Sequence, residues 1–272
     1  MKNYFFPSNT AFIYGSLILS ISVLSNSCKK AAVDTESQSA VDNSQCEAEY
    51  MTILPNVNGY AIKEQGIKKM DAGSCPAVTV TPADTITFPK TMVIDYGAGC
   101  ADTSLDGKLR KGKIIAVFNK RWKYAGCTVN ITFENYEVNS LKYGGTVTIV
   151  KNQLAHTTTV SNGTCSSPTW TLEWASTRTI TWTAGYDTPL NRMDDVFSIS
   201  GNASGKNREG RTYTTNIARE LIKKVNCKWI VSGVYDLRPD KLATRSVDFG
   251  SGDCDNKAKL TINGNTFEFE MN

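Results

Sequence analysis

The chain has 272 residues, 40% of them hydrophobic, and its 30 Lys and Arg against 26 Asp and Glu give a formal net charge of +4. That length suffices for one large domain or two small ones with a real core, and so small an excess of charge makes no electrostatic case for a nucleic-acid partner. A single histidine leaves a histidine-ligated zinc centre without its ligands.

Residues 1–27 read as an export signal: Lys2 in a short polar start, then AFIYGSLILSISVL, then SNSC. The apolar run is too short for a bilayer core of about 30 Å, so the segment is expected to be cleaved rather than retained as a membrane helix. LSNSC, with Ser27 before Cys28 and two lysines after it, resembles the lipobox of bacterial lipoproteins, in which the cysteine takes a diacylglycerol and becomes the mature N-terminus. Leu24 lies four residues before Cys28 and Ser25 holds the usual leucine place, so the box is a loosened one, similar to those of Bacteroidetes-type lipoproteins. Lys29 after the cysteine fits outer-membrane delivery by the same resemblance. Several acyl chains, at about 0.8 kcal/mol per buried CH₂, would anchor the chain stably. The alternative is an ordinary secretory signal with an incidental thiol at Cys28.

Residues 28–45 have no long apolar side chain except two valines and read as a flexible tether. In residues 46–74, EAEYM and GYAIKEQGIKKM could each make a short helix. From residue 75 the texture changes. Thirteen β-rich segments follow: AVTVT, MVIDY, GKIIAVF, TVNITFENYEV, GTVTIV, TWTLEW, TRTITW, VFSISG, RTYTTNI, CKWIVSGVYDL, ATRSVDF, KLTING and TFEFEM. The spacing predicts an all-β domain over 75–272, an antiparallel meander, twisted and curled into a half-barrel or folded into a sandwich. SGKNREG (204–210), RPDK (238–241) and NGN (263–265) supply hairpin turns.

A phrase recurs: DYGAGC at 95–100 and DFGSGDC at 248–254. Cys75 lies 25 residues before Cys100 and Cys227 lies 27 before Cys254. Each pair brackets two strands and a turn. Antiparallel pairing about the loop 82–90 puts Cys75 opposite about residue 97, and pairing about RPDK puts Cys227 opposite about residue 252, with the glycines free to absorb the offset as bulges. Disulfides Cys75–Cys100 and Cys227–Cys254 are therefore predicted, each worth about 3–4 kcal/mol through loop closure. They define hairpin, staple, third-strand units at 75–118 and 227–262. Cys46, Cys127 and Cys165 remain, and with Cys28 lipidated the seven cysteines leave at least one thiol unpaired; which, if any, of these three pair stays open. Asp95, Asp102, Asp106, Asp248, Asp253 and Asp255 offer calcium ligands in principle, but no spacing matches an EF-hand loop, and Asx-turn bonding is the expected role. No metal site is assigned.

His156 has no nucleophile motif near it and reads as a half-exposed strand residue. Glu134, Glu137, Glu173, Asp194 and Asp195 are acids that a glycoside hydrolase could use, with nothing in the sequence to set their separation. No catalytic residue and no cofactor is assigned. TWTLEWASTRTITW places Trp170, Leu172, Trp174, Ile180 and Trp182 on one parity, with Arg178 among them. Such a row is the core of a sheet domain or, alternatively, a face that stacks on sugar rings.

DYGAGC with DGKLRKGKI, ITFENYEVN with YGGTVTI, and CKWIVSG with DFGSGDCDNKAKLTING resemble a group of Bacteroidetes cell-envelope lipoproteins that repeat this vocabulary over roughly residues 75–272. The resemblance implies an envelope location and β-structure, and transfers no active-site residue. The expected function is a lipid-anchored outer-membrane protein, held through Cys28, with a non-catalytic binding or scaffolding β-domain whose partners could be a glycan or another envelope protein. The alternative is glycan binding or carboxylate-based hydrolysis on the Trp170, Trp174 and Trp182 face.

Overall fold

The structure, a computed structural model, describes residues 34–63, 75–101, 107–188 and 191–271. The signal, Cys28 and the first part of the tether lie outside the described residues. Among the described residues one α-helix, α1 (Gln38–Lys63), precedes fourteen strands. These are β1 (Ala77–Thr81), β2 (Lys90–Asp95), β3 (Cys100–Ala101), β4 (Leu109–Phe118), β5 (Thr128–Val138), β6 (Leu141–Asn152) and β7 (Ala155–Ser166). The remainder are β8 (Thr171–Ala184), β9 (Val196–Lys206), β10 (Thr212–Lys224), β11 (Ile230–Pro239), β12 (Arg245–Ser251), β13 (Lys257–Ile262) and β14 (Asn265–Glu270).

All fourteen strands form one antiparallel sheet in which sequence neighbours pair, with the short β3 lying beside β4 off the main path. The all-β meander is thus the fold. TWTLEW and TRTITW are a single strand, β8. One long strand, β7, carries so little apolar alternation in AHTTTVSNGTCS that the sequence does not announce it.

The sheet curls because its long strands break in the middle. Register shifts interrupt β4–β5 between Lys111 and Lys113, β6–β7 between Gly144 and Thr146, and β9–β10 between Asn216 and Leu221. Such bulges add local twist and bend the strand. Gly112 shows why one of them needs glycine: its φ is +72°, and a Cβ there would lie 2.1 Å from the Asn135 carbonyl oxygen.

The concave side holds α1. Between Asp42 and Tyr50, about 12 Å of helix, side chains reach Arg110 on β4, Gly144 on β6, Thr164 on β7, Trp174 on β8 and Tyr235 on β11. Laid flat, β4 to β11 would span about 34 Å. One short stretch of helix touches both ends of that set because the sheet wraps round it, which makes the architecture a half-barrel and not a sandwich. Cys46, Tyr50, Ile53 and Val57 are buried against Val147, Ile149, Val160, Leu172 and Trp174.

Here the expected tether over 28–45 is corrected. Residues 38–45 form the first two turns of α1, and Ser39, Asp42 and Asn43 are buried. Hydrophobicity was the wrong measure, because this stretch is held by charge and hydrogen bonds. Two short helices within 46–74 are likewise replaced by one, of which Cys46–Lys63 is the continuation; residues 64–74 lie outside the described residues.

Both predicted disulfides are present, with Cα separations of 5.9 Å for Cys75–Cys100 and 5.7 Å for Cys227–Cys254. Ala77 pairs with Asp95, so the β1–β2 ladder runs on to place Cys75 opposite residue 97, as expected. In the second unit Leu237 pairs with Arg245, which centres the turn beyond RPDK, and a bulge between Ser232 and Val234 moves the register further. Cys254 therefore falls short of the residue facing Cys227 instead of beyond it. The doubled phrase has one job in both copies. The Asp95 carboxylate accepts the Gly97 amide at 2.8 Å and that of Asp248 accepts the Gly250 amide at 2.9 Å, an Asx-turn that turns the chain toward its cysteine. Gly97 and Gly250 have φ of +56° and +87°, which L side chains rarely adopt. Asp95 faces Lys113, and Asp248 faces Lys259, on the third strand of each unit. Asp255 makes the same kind of bond to the Lys257 amide, while Asp102 and Asp106 lie outside the described residues.

Candidate functional site: the helix–sheet seam

The polar chemistry of the interior is concentrated where α1 and the residues just before it meet the inner wall. Four arginines project from the wall, and each meets a carboxylate from the helix side. Arg178 on β8 holds Glu47 in a two-point contact, Nε to Oε1 at 2.6 Å and Nη2 to Oε2 at 3.0 Å. Arg208, in the β9–β10 turn, contacts Asp42 through Nη2 at 2.5 Å and donates its backbone amide to Asp42 Oδ2 at 2.7 Å. Arg245 on β12 contacts Asp34 at 2.5 Å and Glu36 at 3.5 Å. Arg110 on β4 lies 3.6 Å from Glu49, and Tyr136 connects them, accepting from Arg110 Nε at 3.1 Å and donating to Glu49 Oε1 at 2.8 Å.

Planar guanidinium groups suit this task because they present several donors at once and carry charge at every physiological pH. Burial, with the neighbouring Glu49 charge, holds the Tyr136 hydroxyl above its usual range, so it stays a donor. Burial pushes the Asp34 carboxyl up, but the Arg245 hydrogen bond and charge and backbone amide bonds outweigh it and leave the group below its usual value. Glu36 also serves the helix directly, accepting the Ser39 amide at 2.7 Å in the manner of an N-terminal cap.

The tryptophans expected on one face do share the inner wall, and their environments differ. Trp174 is fully buried, stacked on Tyr50 at 5.3 Å, with its indole N–H donated to Asn43 at 2.9 Å. Trp170 is half-buried beneath the Arg208 guanidinium, 3.9 Å from its ring centroid. Trp182 is half-buried and stacked on Phe197 at 6.0 Å. Arg178, the odd member of that parity, is there to meet Glu47. Trp174 thus has no indole face left for a ligand, while Trp170 and Trp182 each keep part of theirs exposed.

Of the candidate acids, Glu134 and Glu137 come together with Asp95 round a groove of about 430 Å³ on the convex side. Lys113 stands 3.5 Å from Glu134 and 3.9 Å from Asp95, and Lys111 stands 3.8 Å from Glu137. Each carboxylate is a third or more exposed, so the groove is a wet, charge-matched surface and not a cleft that excludes water. Glu173 faces Lys206 in the β8–β9 ladder, Asp194 accepts from Thr188 at 2.8 Å, and Asp195 is buried. They do not meet Glu134.

Cys46, Cys127 and Cys165 are free and buried. Burial raises all three thiols, Cys165 to about 11, which keeps them protonated and unreactive at neutral pH.

His156 is half-buried beside Trp122 and opposite Lys151. Burial, then the Lys151 charge, lowers it to about 4. A folded value below the unfolded one of about 6.5 means that the unfolded chain binds the proton more tightly, so stability is full above pH 6.5 and falls between 6.5 and 4. The contribution is about 3 kcal/mol at most. As this is the one histidine in the chain, His156→Gln is expected to flatten the loss of urea-unfolding stability between pH 6.5 and 4, and an unchanged slope would reject the assignment.

Asp42 escaped sequence reasoning because it sits in what looks like a tether, and Glu47 and Glu49 because EAEYM reads as a separate short helix with no partner named. A signal was present: Cys46, Tyr50, Ile53 and Val57 recur at helical spacing, and the carboxylates Asp42, Glu47 and Glu49 flank that stripe. Comparison with protein-family models, with curated proteins and with solved structures finds no match.

Proposed function

We propose that the protein is a lipid-anchored component of the cell envelope, held in the outer membrane through Cys28, with a β-domain that serves binding or scaffolding and not catalysis. The observation that carries this reading is the closure of the four cysteines of the two repeated units into disulfides, which suits a chain exported to an oxidising compartment. The lipobox-like LSNSC supplies the anchor. The seam supports a scaffold role, since its charged groups are matched to one another and hold a rigid shell in shape. Radiolabelled fatty acid is expected to enter the wild-type protein and not Cys28→Ala, with only the former sedimenting with membranes. Equal labelling of the two would remove the anchor.

A further inference from the structure

We infer that one rim of the half-barrel, formed by the β9–β10 turn (207–211) and the β11–β12 turn (240–244), faces the phospholipid surface that holds the anchor. This inference rests on the lipidated Cys28 of the proposed function. The Asp34 carboxylate is pinned to Arg245 at 2.5 Å, with both side chains under a tenth exposed. The Glu36 carbonyl accepts from Arg245 Nη2 at 2.9 Å, and the Glu36 carboxylate accepts from Asn207 Nδ2 at 3.3 Å. The N-terminal strand of backbone is therefore locked to this rim.

Only residues 29–33 separate Cys28 from Asp34. Six Cα steps reach at most about 22 Å, whatever conformation they adopt. A tether running to residue 45 would allow about three times that. The short reach brings the bilayer surface to the rim, while β8, fourteen residues long, carries the opposite turns about 40 Å away. Charge favours the same orientation: Lys206, Arg211, Arg238 and Lys241 stand at this rim against Glu173, Glu209 and Asp240, and Lys29 and Lys30 lie in the linker. Basic side chains near an anionic bilayer each gain about 1 kcal/mol.

The experiment uses the acylated full-length protein in vesicles of phosphatidylethanolamine and phosphatidylglycerol. A photoreactive phenylalanine analogue replaces Glu209, exposed in the rim turn, or Asp187, exposed in the turn at the opposite end. Lipid adducts measured by mass spectrometry are expected to be at least about fivefold more abundant at 209 than at 187, given the separation of about 40 Å. Equal adducts, or an excess at 187, in protein that still incorporates labelled fatty acid would overturn the orientation and leave the anchor standing. Failure of the wild type to take up fatty acid would overturn both.

Discussion

Replacing Arg110 by Ala is expected to lower unfolding stability by about 3 kcal/mol, the low end of the cost of breaking a buried ion pair, since the buried Glu49 carboxylate loses one of its two cations. Glu49 is only 3% exposed and Arg110 not at all. Water cannot take over when the guanidinium is gone, and Lys108, 3.3 Å from the other Glu49 oxygen, neutralises the pair from its edge only. The Tyr136 hydroxyl would lose its donor and keep its acceptor. Urea titration reads the effect as a lower midpoint at unchanged slope. Removing both charges, as Arg110→Met with Glu49→Gln, is expected to restore most of the loss, because a paired buried charge contributes little beyond a well-packed neutral substitute. If the double variant is as unstable as Arg110→Ala, packing and not charge explains the loss.

The second large effect concerns α1 as a whole. A chain beginning at residue 75 is expected to show no cooperative thermal transition and to bind hydrophobic dyes. Cys46, Tyr50, Ile53 and Val57 are all at most 1% exposed. At about 1.5–3 kcal/mol for each fully buried side chain, their loss costs about 6–12 kcal/mol, comparable with the whole 5–15 kcal/mol stability of an ordinary domain. The figure leaves out the wall itself: Val147, Ile149, Val160, Leu172 and Trp174 would face water, and Arg178 and Arg208 would lose their acids. A cooperative transition near that of the full chain would show that the sheet is self-sufficient.

How far the fold was legible depended on which force held each part. Strands with alternating apolar residues, such as TVNITFENYEV, announce themselves, as do the disulfides, because hairpin geometry and chain spacing are local matters. β7 was harder: in HTTTVSNGTCS the buried positions are Thr158, Val160, Gly163 and Cys165, and threonines on both faces blur the period. The helix was hardest. Its first turns are fixed by Arg208, 166 residues away, and by Arg245, 211 residues from Asp34. Nothing within the stretch 28–45 points to partners at that distance, and a polar segment with unseen partners reads as a loose one. Arg178 was a further hint, a cation among Trp170, Leu172, Trp174, Ile180 and Trp182, but nothing in its own strand names Glu47 as the partner. The aromatic row reads first as the core of a sheet domain, and Leu172 and Trp174 lie in that core.

The pairing of every strand with its sequence neighbour has a kinetic consequence. Contacts between adjacent hairpins close over short loops and form quickly, whereas docking the helix must wait for partners made last. The helix, which precedes the strands in the chain, is thus the element docked last. Its carboxylates keep it compatible with water during that wait, and a product truncated before β12 would carry its leading end unfastened, exposed to any protease that samples open chains.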